Sequence, residues 1–447
     1  MNILVLNGSP TGKDSITLCT LRYIKKHFPE HKYKVLHVGQ QIYKMEHDPE
    51  CWKSYLEAAD LVIFCYPVYT FLVPSQLHHF IELMKESEID LSEKYATQIS
   101  TSLHFYDVTA HTFIEENCAD MGFRVIRGLS ADMEDLLHEQ GQKDALSFFR
   151  YVLWNIEKGY SDVPAISAKA KKLKKTNPDA SPVNAPAPQR VVIVADYGNS
   201  EANRLQNMCE RLKNALPCKT DIVNIQEFPF KGGCLGCFHC AADGKCIYKD
   251  GFDTFLRENI QSAGAIVYAY TIKDHSMGYR FKMFDDRQFC NGHRTVTMGR
   301  PVAYLVDGCL DNEPNLKLLM EARAQVGGNT LAGIATNQYN PDSEIEQLAE
   351  RLCYTINNKY LPPKNFYGVG GMKIFRDLIW QMQGLMREDH KFYKEHRFYD
   401  FPQKKCGTML ALYLVGGMMR SKSLQKKMNG KMTDGMLMPF KKVIKEK

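Results

Sequence analysis

Four cysteines in this sequence are spaced closely enough to bind a single metal centre. The stretch KGGCLGCFHCAADGKC carries them as Cys234, Cys237, Cys240 and Cys246. Structural zinc sites usually combine two separated pairs of ligands, whereas a C-x2-C-x2-C run is typical of iron–sulfur clusters. The glycines interspersed in this stretch allow the backbone to fold closely around a bulky inorganic centre. The spacing favours a [4Fe–4S] cluster and leaves zinc or free thiols open as alternatives.

The rest of the composition indicates a reducing, aqueous environment. The chain has 14 cysteines in 447 residues, and those outside this stretch are scattered through segments with the patterns of strands and helices. A tight cysteine cluster in such a protein binds metal or does redox chemistry more often than it forms disulfides. The longest late apolar run, GTMLALYLVGGMM, is shorter than the ~20 residues that a membrane-spanning helix needs. We expect a cytoplasmic protein without a membrane span.

The predicted strands and helices that would position the cysteines occur as the same pattern in both halves of the chain. Apolar runs separated by helix-like segments predict five parallel strands in each half, near 2–6, 33–38, 61–65, 97–102 and 124–128, then near 191–195, 220–225, 264–269, 301–306 and 329–334. This pattern is typical of α/β folds with doubly wound parallel sheets. The sequence predicts two domains, at 1–163 and 190–362. A linker at 164–189, rich in Pro, Ala, Ser and Lys, separates them, and a basic helical extension follows at 363–447.

The cysteine stretch is extra sequence in the second half. The connection between the second and third predicted strands runs over 39–60 in the first half and over 226–263 in the second. The additional residues match the length of the cysteine stretch, which follows a strand. Ligands of open α/β sheets bind at the carboxyl ends of the strands. The cysteines are therefore expected at the functional edge of the second sheet.

The loop after the first strand has the chemistry of a single-phosphate site. Asn7-Gly8-Ser9-Pro10-Thr11-Gly12-Lys13-Asp14-Ser15-Ile16-Thr17 supplies small residues, hydroxyls and a helix start. Backbone N–H groups at a helix start bind anions. The loop matches neither G-x-G-x-x-G nor a Walker motif, which disfavours a dinucleotide fingerprint and ATP. A capped helix after a turn is the plain structural alternative.

These motifs together resemble the iron–sulfur flavoproteins of anaerobic microbes, within the wider NADPH-dependent FMN reductase family. The resemblance rests on C-x2-C-x2-C-x5-C, LNGSPTGKDSIT and YPVYTFLVPSQLHHFIELM. It implies flavodoxin-like domains, FMN and a [4Fe–4S] cluster as cofactors, and NAD(P)H as the electron donor. Ile16 and Thr11 depart from the family pattern, which often has Asn and Arg there, and this weakens the expected phosphate affinity.

The resemblance also assigns site residues. Ser9, Ser15 and Thr17 would bind the FMN phosphate, and Pro67, Val68, Tyr69 and Thr70 would run beside the isoalloxazine ring. Strand four ends at Thr101 and Ser102, near His104, Tyr106 and His111, where the other edge of the flavin would lie. Because a flavin carries hydride chemistry itself, no catalytic residue is assigned.

The second half has carboxylates where the first has its phosphate loop. Asp196 and Glu201 stand there and would repel a phosphate, so FMN is expected mainly in the first half. The chain carries a net charge of +6, yet residues 370–447 have 17 Lys/Arg against 7 Asp/Glu. A basic segment of this kind can meet an acidic partner protein or an anionic surface. Its interspersed apolar residues favour a solvated face of an amphipathic helix or an intramolecular contact, and they disfavour nucleic acid.

We therefore expect an NAD(P)H-dependent, FMN-containing oxidoreductase. Electrons would enter from NAD(P)H or a ferredoxin-like protein and pass through FMN and the cluster to a quinone, an enone or a nitro compound. One alternative is an electron-transfer flavoprotein that acts only on protein partners, and another is a degenerate flavodoxin-like pair that serves as a binding module. The sequence leaves open whether two chains pair as a homodimer.

Overall fold

The computed structural model describes residues 1–103, 106–163, 173–198, 204–399, 405–418, 421–423 and 431–444. His104 and Glu201, both considered above, lie outside these ranges, as do residues 164–172 of the predicted linker. The contacts divide the chain into two units. The first consists of Met1–Ser167, Gly233–Cys237 and Ser421–Lys447, and the second of Ala168–Gly232 and Phe238–Arg420.

The first unit is built on a parallel sheet with strand order β2-β1-β3-β4-β5, in which β6 also pairs with β4. The strands are β1 (Asn2–Asn7), β2 (Lys32–Leu36), β3 (Leu61–Pro67), β4 (Tyr95–Ser102), β5 (Arg124–Val125) and β6 (Leu129–Asp132). The helices are α1 (Ile16–His27), α2 (Val38–His47), α3 (Glu50–Glu57), α4 (Ser75–Glu86), α5 (Val108–Asp120) and α6 (Glu139–Lys158). The central strands β1 and β3 are buried almost throughout, as their continuous apolar sequence predicts.

The second unit repeats this strand order, reading β8-β7-β9-β10-β11 from one edge to the other. Its strands are β7 (Val191–Ala195), β8 (Thr220–Asn224), β9 (Ala265–Thr271), β10 (Pro301–Asp307) and β11 (Thr330–Thr336). Its helices are α7 (Arg204–Ala215), α8 (Cys240–Asp243), α9 (Phe252–Phe255), α10 (Gly278–Arg287), α11 (Pro314–Val326), α12 (Pro341–Asn357), α13 (Phe366–Gln381), α14 (Arg387–Glu395) and α15 (Cys406–Met418). Two parallel α/β units of flavodoxin-like order confirm the predicted fold class.

Of the fifth predicted strand of the first half, 124–128, only Arg124–Val125 forms a strand, β5, and a second short piece, β6, follows at Leu129–Asp132. In β5, Arg124 pairs with Tyr95, whereas in β6 Leu129 pairs with Ile99, so one extra residue lies between the pieces. A single extra residue of this kind is a bulge, which interrupts pairing and bends the strand. A side chain at Gly128 would overlap the backbone oxygen of Gln98. The chain therefore passes β4 at this point without a regular ladder.

The last described helix, α16 (Lys431–Ile444), packs into the first unit although it lies at the far end of the chain. Its Leu437 and Phe440 are 2% and 4% exposed and join the core formed by α1, α6 and the sheet. Within the described ranges, no helix has both the length and the apolar character needed to cross a membrane.

Candidate functional site

Three loops meet at the carboxyl edge of the first sheet because β1, β3 and β4 are neighbours. Asn7 pairs with Cys65, and Pro67 pairs with Thr101. The N–H of Val68 donates to the Thr101 carbonyl at 3.0 Å. The reversal of strand order between β1 and β3 is where open α/β sheets form their ligand crevice. The loops predicted to bind FMN are therefore close neighbours at this edge.

The phosphate loop is held in shape by its own polar groups. Asn7 accepts from the N–H of Ser9 at 3.2 Å and donates to the Gly12 carbonyl at 2.7 Å. The Ser9 hydroxyl lies 2.8 Å from that of Thr11. Ser15 caps α1 by accepting from the N–H of Leu18 at 3.4 Å. Gly12 has φ +61°, which is the left-handed region, and a side chain there would overlap Gln40.

This loop offers hydroxyls and backbone N–H groups to the predicted phosphate. Ser9, Thr11 and Ser15 surround the start of α1, where the first turn of any helix has N–H groups without intrahelical partners. Asn7 orders the loop, a role that the sequence alone did not assign to it. An Asn that ends a strand before Gly is nevertheless a known turn former. The Asn7 side chain is fully buried.

The Thr17 and Thr101 hydroxyls lie beneath this loop and bond to each other at 2.5 Å. Both side chains are buried. Their mutual bond uses one of two hydroxyl hydrogens, so the pair can still donate one hydrogen bond to a ligand. It also ties α1 to β4.

The loop after β3 is a tight turn with a strained backbone. The N–H of Tyr69 donates to the Leu72 carbonyl at 2.7 Å, and the N–H of Leu72 donates to the Tyr69 carbonyl at 3.0 Å. Between them, Thr70 and Phe71 have φ of 45° and 69°, as in a type I′ turn, which is uncommon for residues other than Gly, Asn or Asp. Pro67, Val68, Tyr69 and Thr70 are each half-buried. Strained turns of this kind concentrate at functional sites.

Polar residues at the end of β4 and around the start of α5 form a partly buried network. The Ser100 hydroxyl lies 2.8 Å from Nε2 of His111, and Ser102 donates to Asp107 at 3.3 Å. Burial lowers the pKa of His111 to about 4, although the Asp107 charge opposes this shift. His111 is therefore neutral near pH 7 and packs as a structural residue at this edge. Ser102 remains at the rim of the site.

The cysteine segment contributes its first part to the first unit. Gln76, at the start of α4, donates from Nε2 to the Cys234 carbonyl at 3.2 Å. A side chain at Gly233 would overlap the Ser75 hydroxyl, and one at Gly236 would overlap the Tyr69 hydroxyl. The backbone of residues 233–237 therefore lies directly against the turn and helix that follow β3. No local sequence signal pairs Gln76 with Cys234, which is 158 positions away.

The second part of the cysteine segment is anchored within the second unit. The Cys240 thiol lies at the start of α8 and donates to the Phe289 carbonyl at 3.1 Å. Ala241 packs in a cluster with Ile379, Met386 and Tyr393 of the C-terminal extension. The helices α13 and α14 thus support the loop that carries the cysteines, a role that their amphipathic sequence did not reveal.

A buried arginine lies near Cys246. Arg287 donates from Nη1 and Nη2 to the two carboxylate oxygens of Asp250 at 2.9 and 2.8 Å, and its guanidinium lies over Tyr248. Burial lowers the pKa of Arg287, but the bond to Asp250 and the charge of Cys246 outweigh it, so the pKa lies above its usual value. The ion pair of Arg287 with Asp250 thus lies next to the last cysteine of the segment.

The second sheet has a carboxylate at the edge where the first has hydroxyls. Asp307 ends β10, is 4% exposed, and accepts from Asn337 at 2.6 Å and from Arg204 at 3.0 Å. Asp196, after β7, accepts from Gln226 at 2.8 Å. Carboxylates at these positions disfavour a phosphate group.

The comparisons with known proteins agree with this geometry in the first unit. The family described as NADPH-dependent FMN reductase matches residues 1–114. The matched range includes the phosphate loop, the turn after β3 and all of β4. The match supports the predicted enzyme class, an NAD(P)H-dependent oxidoreductase that contains FMN. No curated protein matches the chain.

Three solved structures similar to the chain each cover about a third of it. A quinone reductase described as putative, from Klebsiella pneumoniae, is 14% identical, covers 36% of this chain and 86% of its own, and has a TM-score of 0.27. An NAD(P)H:quinone oxidoreductase from Methanothermobacter marburgensis is 12% identical, with 35% and 96% covered and a TM-score of 0.29. An FMN-dependent NADH-azoreductase from Bacillus anthracis is 11% identical, with 35% and 99% covered and a TM-score of 0.25.

Proposed function

We propose that this flavin-dependent NAD(P)H oxidoreductase also contains a [4Fe–4S] cluster and reduces a small molecule such as a quinone, an enone or a nitro compound. FMN would bind at the carboxyl edge of the first sheet. The cluster would be held by the thiols of Cys234, Cys237, Cys240 and Cys246. We also propose that the second unit is a second, diverged copy of the same family.

One observation carries the proposal of two communicating cofactors. Residues 233–237 of the cysteine segment pack against Tyr69 and Gln76, within the loop and helix that follow β3. This is the loop that, by resemblance, runs beside the isoalloxazine ring. Cys234 and Cys237 therefore belong to the same unit as the proposed flavin site. Electron transfer over short distances requires this kind of placement.

The cysteine segment also suits a cluster by its chemistry. Gly236, Phe238 and Gly244 all have positive φ, of 61°, 56° and 74°, so the backbone curls repeatedly between the thiols. The four thiols are exposed or half-exposed. By contrast, burial raises the pKa of Cys65 and Cys118 well above the usual value, which suits inert core thiols.

When bound, FMN accepts a hydride and can release its electrons singly, and a four-iron cluster carries one electron at a time. The residues of this chain have the tasks of holding and separating these groups. Ser9 and Ser15 would hold the phosphate, the Tyr69–Leu72 turn would set the position of the ring, and Gln76 fixes the peptide group of Cys234. The protein thereby sets orientation rather than supplying an acid or a base.

Anaerobic purification with cofactor counts tests the proposal. We expect about one FMN and about four irons per chain, the iron number being that of a single cubane. Cys234→Ser and Cys240→Ser should lose the iron and keep the FMN. Cys51→Ser, at another half-buried cysteine, is the matched control and should keep both. Iron-free protein with normal FMN would refute the cluster, and zinc in place of iron would do the same.

The excess of basic residues after position 370 supports the alternative, an electron-transfer flavoprotein that serves only protein partners. Steady-state assays separate the two functions. Oxidation of NAD(P)H with quinone as acceptor, little changed by salt, would support the enzyme. Reduction by ferredoxin that falls steeply with salt, together with negligible NAD(P)H oxidation, would support the carrier.

A further inference from the structure

The helix α15 exposes an apolar stripe that the proposed redox function does not use. Leu410, Leu414 and Met418 follow one another at intervals of four residues and therefore lie on one face of the helix. Their side chains are 65%, 67% and 47% exposed. Between Cys406 and Met418 the sequence contains no charged residue. Large apolar side chains arranged in an exposed stripe mark an interaction surface.

The orientation of this stripe is fixed by contacts on another side of the helix. Gly416 is buried against Gly384, where a side chain at either glycine would overlap the other segment's backbone. The Tyr413 hydroxyl donates to Gln383 at 2.9 Å, and Arg387 donates to the Tyr413 carbonyl at 3.1 Å. The helix is thus held closely at Gly416 and Tyr413, while the stripe remains open to solvent.

The sequence around the helix is strongly basic. Residues 404–431 contain seven Lys or Arg and no Asp or Glu, and all seven lie outside α15, on both of its sides in sequence. Apolar side chains between clusters of basic residues match the two layers of a membrane surface, whose anionic headgroups attract Lys and Arg above its hydrocarbon.

We propose that α15 is a peripheral anchor that binds the surface of an anionic lipid bilayer. The helix has 13 residues and a rise of about 1.5 Å per residue, giving about 20 Å, whereas the hydrocarbon core is about 30 Å thick. It therefore lies in the interface and does not cross it. Leu410, Leu414 and Met418 enter the boundary between headgroups and acyl chains, and Lys405, directly before the helix, pairs with a lipid phosphate.

A protein partner fits these features less well. A stable protein interface buries about 800 Å² on each side and draws on aromatic and arginine side chains at its centre. The stripe offers three flexible aliphatic side chains and is narrow. Membrane binding, by contrast, accumulates from a few buried apolar groups together with the attraction of several basic charges.

Sedimentation with vesicles tests the anchor on the full chain. The probes are vesicles of phosphatidylcholine alone and vesicles with about a third of phosphatidylglycerol. We expect binding to the anionic vesicles that weakens at high salt. Leu414→Ser should reduce it about tenfold, since a leucine side chain is lost from the apolar layer. Leu361→Ser, at a leucine that is 52% exposed outside the helix, is the matched control and should bind normally.

A separate variant tests how much the basic charge beside the helix contributes to vesicle binding. Lys405→Gln should weaken binding to anionic vesicles several-fold and leave binding to neutral vesicles unchanged. Equal sedimentation of the wild type and Leu414→Ser, or no sedimentation with anionic vesicles, would overturn the anchor. A loss of dimer in Leu414→Ser, measured by analytical ultracentrifugation, would assign the stripe to a second copy of the chain and overturn it as well. FMN content monitors folding in every variant.

Discussion

Gly236 shows how one residue determines how closely the cysteine segment packs against the turn after β3. Its φ is 61°, and a side chain there would overlap the Tyr69 hydroxyl. We expect Gly236→Ala to lower the free energy of unfolding by about 2–4 kcal/mol, through backbone strain and overpacking together. Urea unfolding measures the loss.

A matched glycine separates the two causes. Gly159 has φ 72° with no atom near its missing side chain, so Gly159→Ala reports the backbone strain alone, about 1 kcal/mol. Adding Tyr69→Phe to Gly236→Ala removes the overlapping oxygen and should recover the stability by which Gly236→Ala falls below Gly159→Ala. Equal losses at Gly159 and Gly236 would show that the overlap with Tyr69 has no energetic weight.

His111 gives the first unit a pH-dependent stability. Its pKa falls from a usual 6.5 to about 4 in the folded protein because it is buried. Between these two pH values the unfolded chain binds more protons at His111 than the folded chain does. The contribution of His111 to the free energy of unfolding is therefore fully present above pH 6.5 and declines as the pH falls toward 4. The decline amounts to at most about 3 kcal/mol.

Urea unfolding at several pH values tests this assignment. His111→Gln keeps a polar group beside Ser100 but cannot be protonated, so its stability should change less between pH 6.5 and 4.5 than that of the wild type. His47→Gln, at an exposed histidine with no resolved role at the site, is the control and should follow the wild type. Parallel curves for the wild type and His111→Gln would contradict the assignment.

At the scale of elements, α16 joins the core of the first unit and also contacts α1 and the turn at Gly12–Asp14 that forms part of the phosphate loop. Phe440→Ala should therefore cost about 3–5 kcal/mol of stability, as for a large aromatic removed from a core. It should also weaken FMN binding. Met438→Ala, at a residue of the same helix that is 64% exposed, should change stability by less than about 0.5 kcal/mol. Urea unfolding and fluorescence titration with FMN check both expectations.

The strands could be predicted from sequence, whereas several contacts between distant elements could not. Buried parallel strands such as Val191–Ala195 are continuous apolar runs, so their positions are visible without any partner. The bulge near Gly128 was not predicted because it depends on the packing of Gln98. Nor did the sequence indicate that Leu437 and Phe440 pack in the core of the first unit. Amphipathic spacing shows that a helix has an apolar face but does not show what covers it.

At the scale of the whole molecule, the two units share one strand order but differ in the chemistry of their edges. The turn after the third strand is the same in both, since Asp274 and His275 have φ of 52° and 62°, like Thr70 and Phe71. The backbone scaffold is thus shared, and residues at the strand ends differ. The sequence indicated this difference through Asp196, although the bonds of Asp307 to Arg204 and Asn337 required the structure.

This difference predicts that FMN binds in the first unit alone. Ser9→Ala removes a hydroxyl from the proposed phosphate site, and we expect it to lower FMN affinity about tenfold, a typical effect of losing one hydrogen bond to a charged group. Asp196→Ala removes a carboxylate from the corresponding edge of the second unit and should leave both the affinity and the count of about one FMN per chain unchanged. Fluorescence titration of the apoprotein measures both quantities. Two FMN molecules in the wild type, or a loss of flavin in Asp196→Ala, would place a flavin in the second unit, because its edge would then bind phosphate despite its carboxylates.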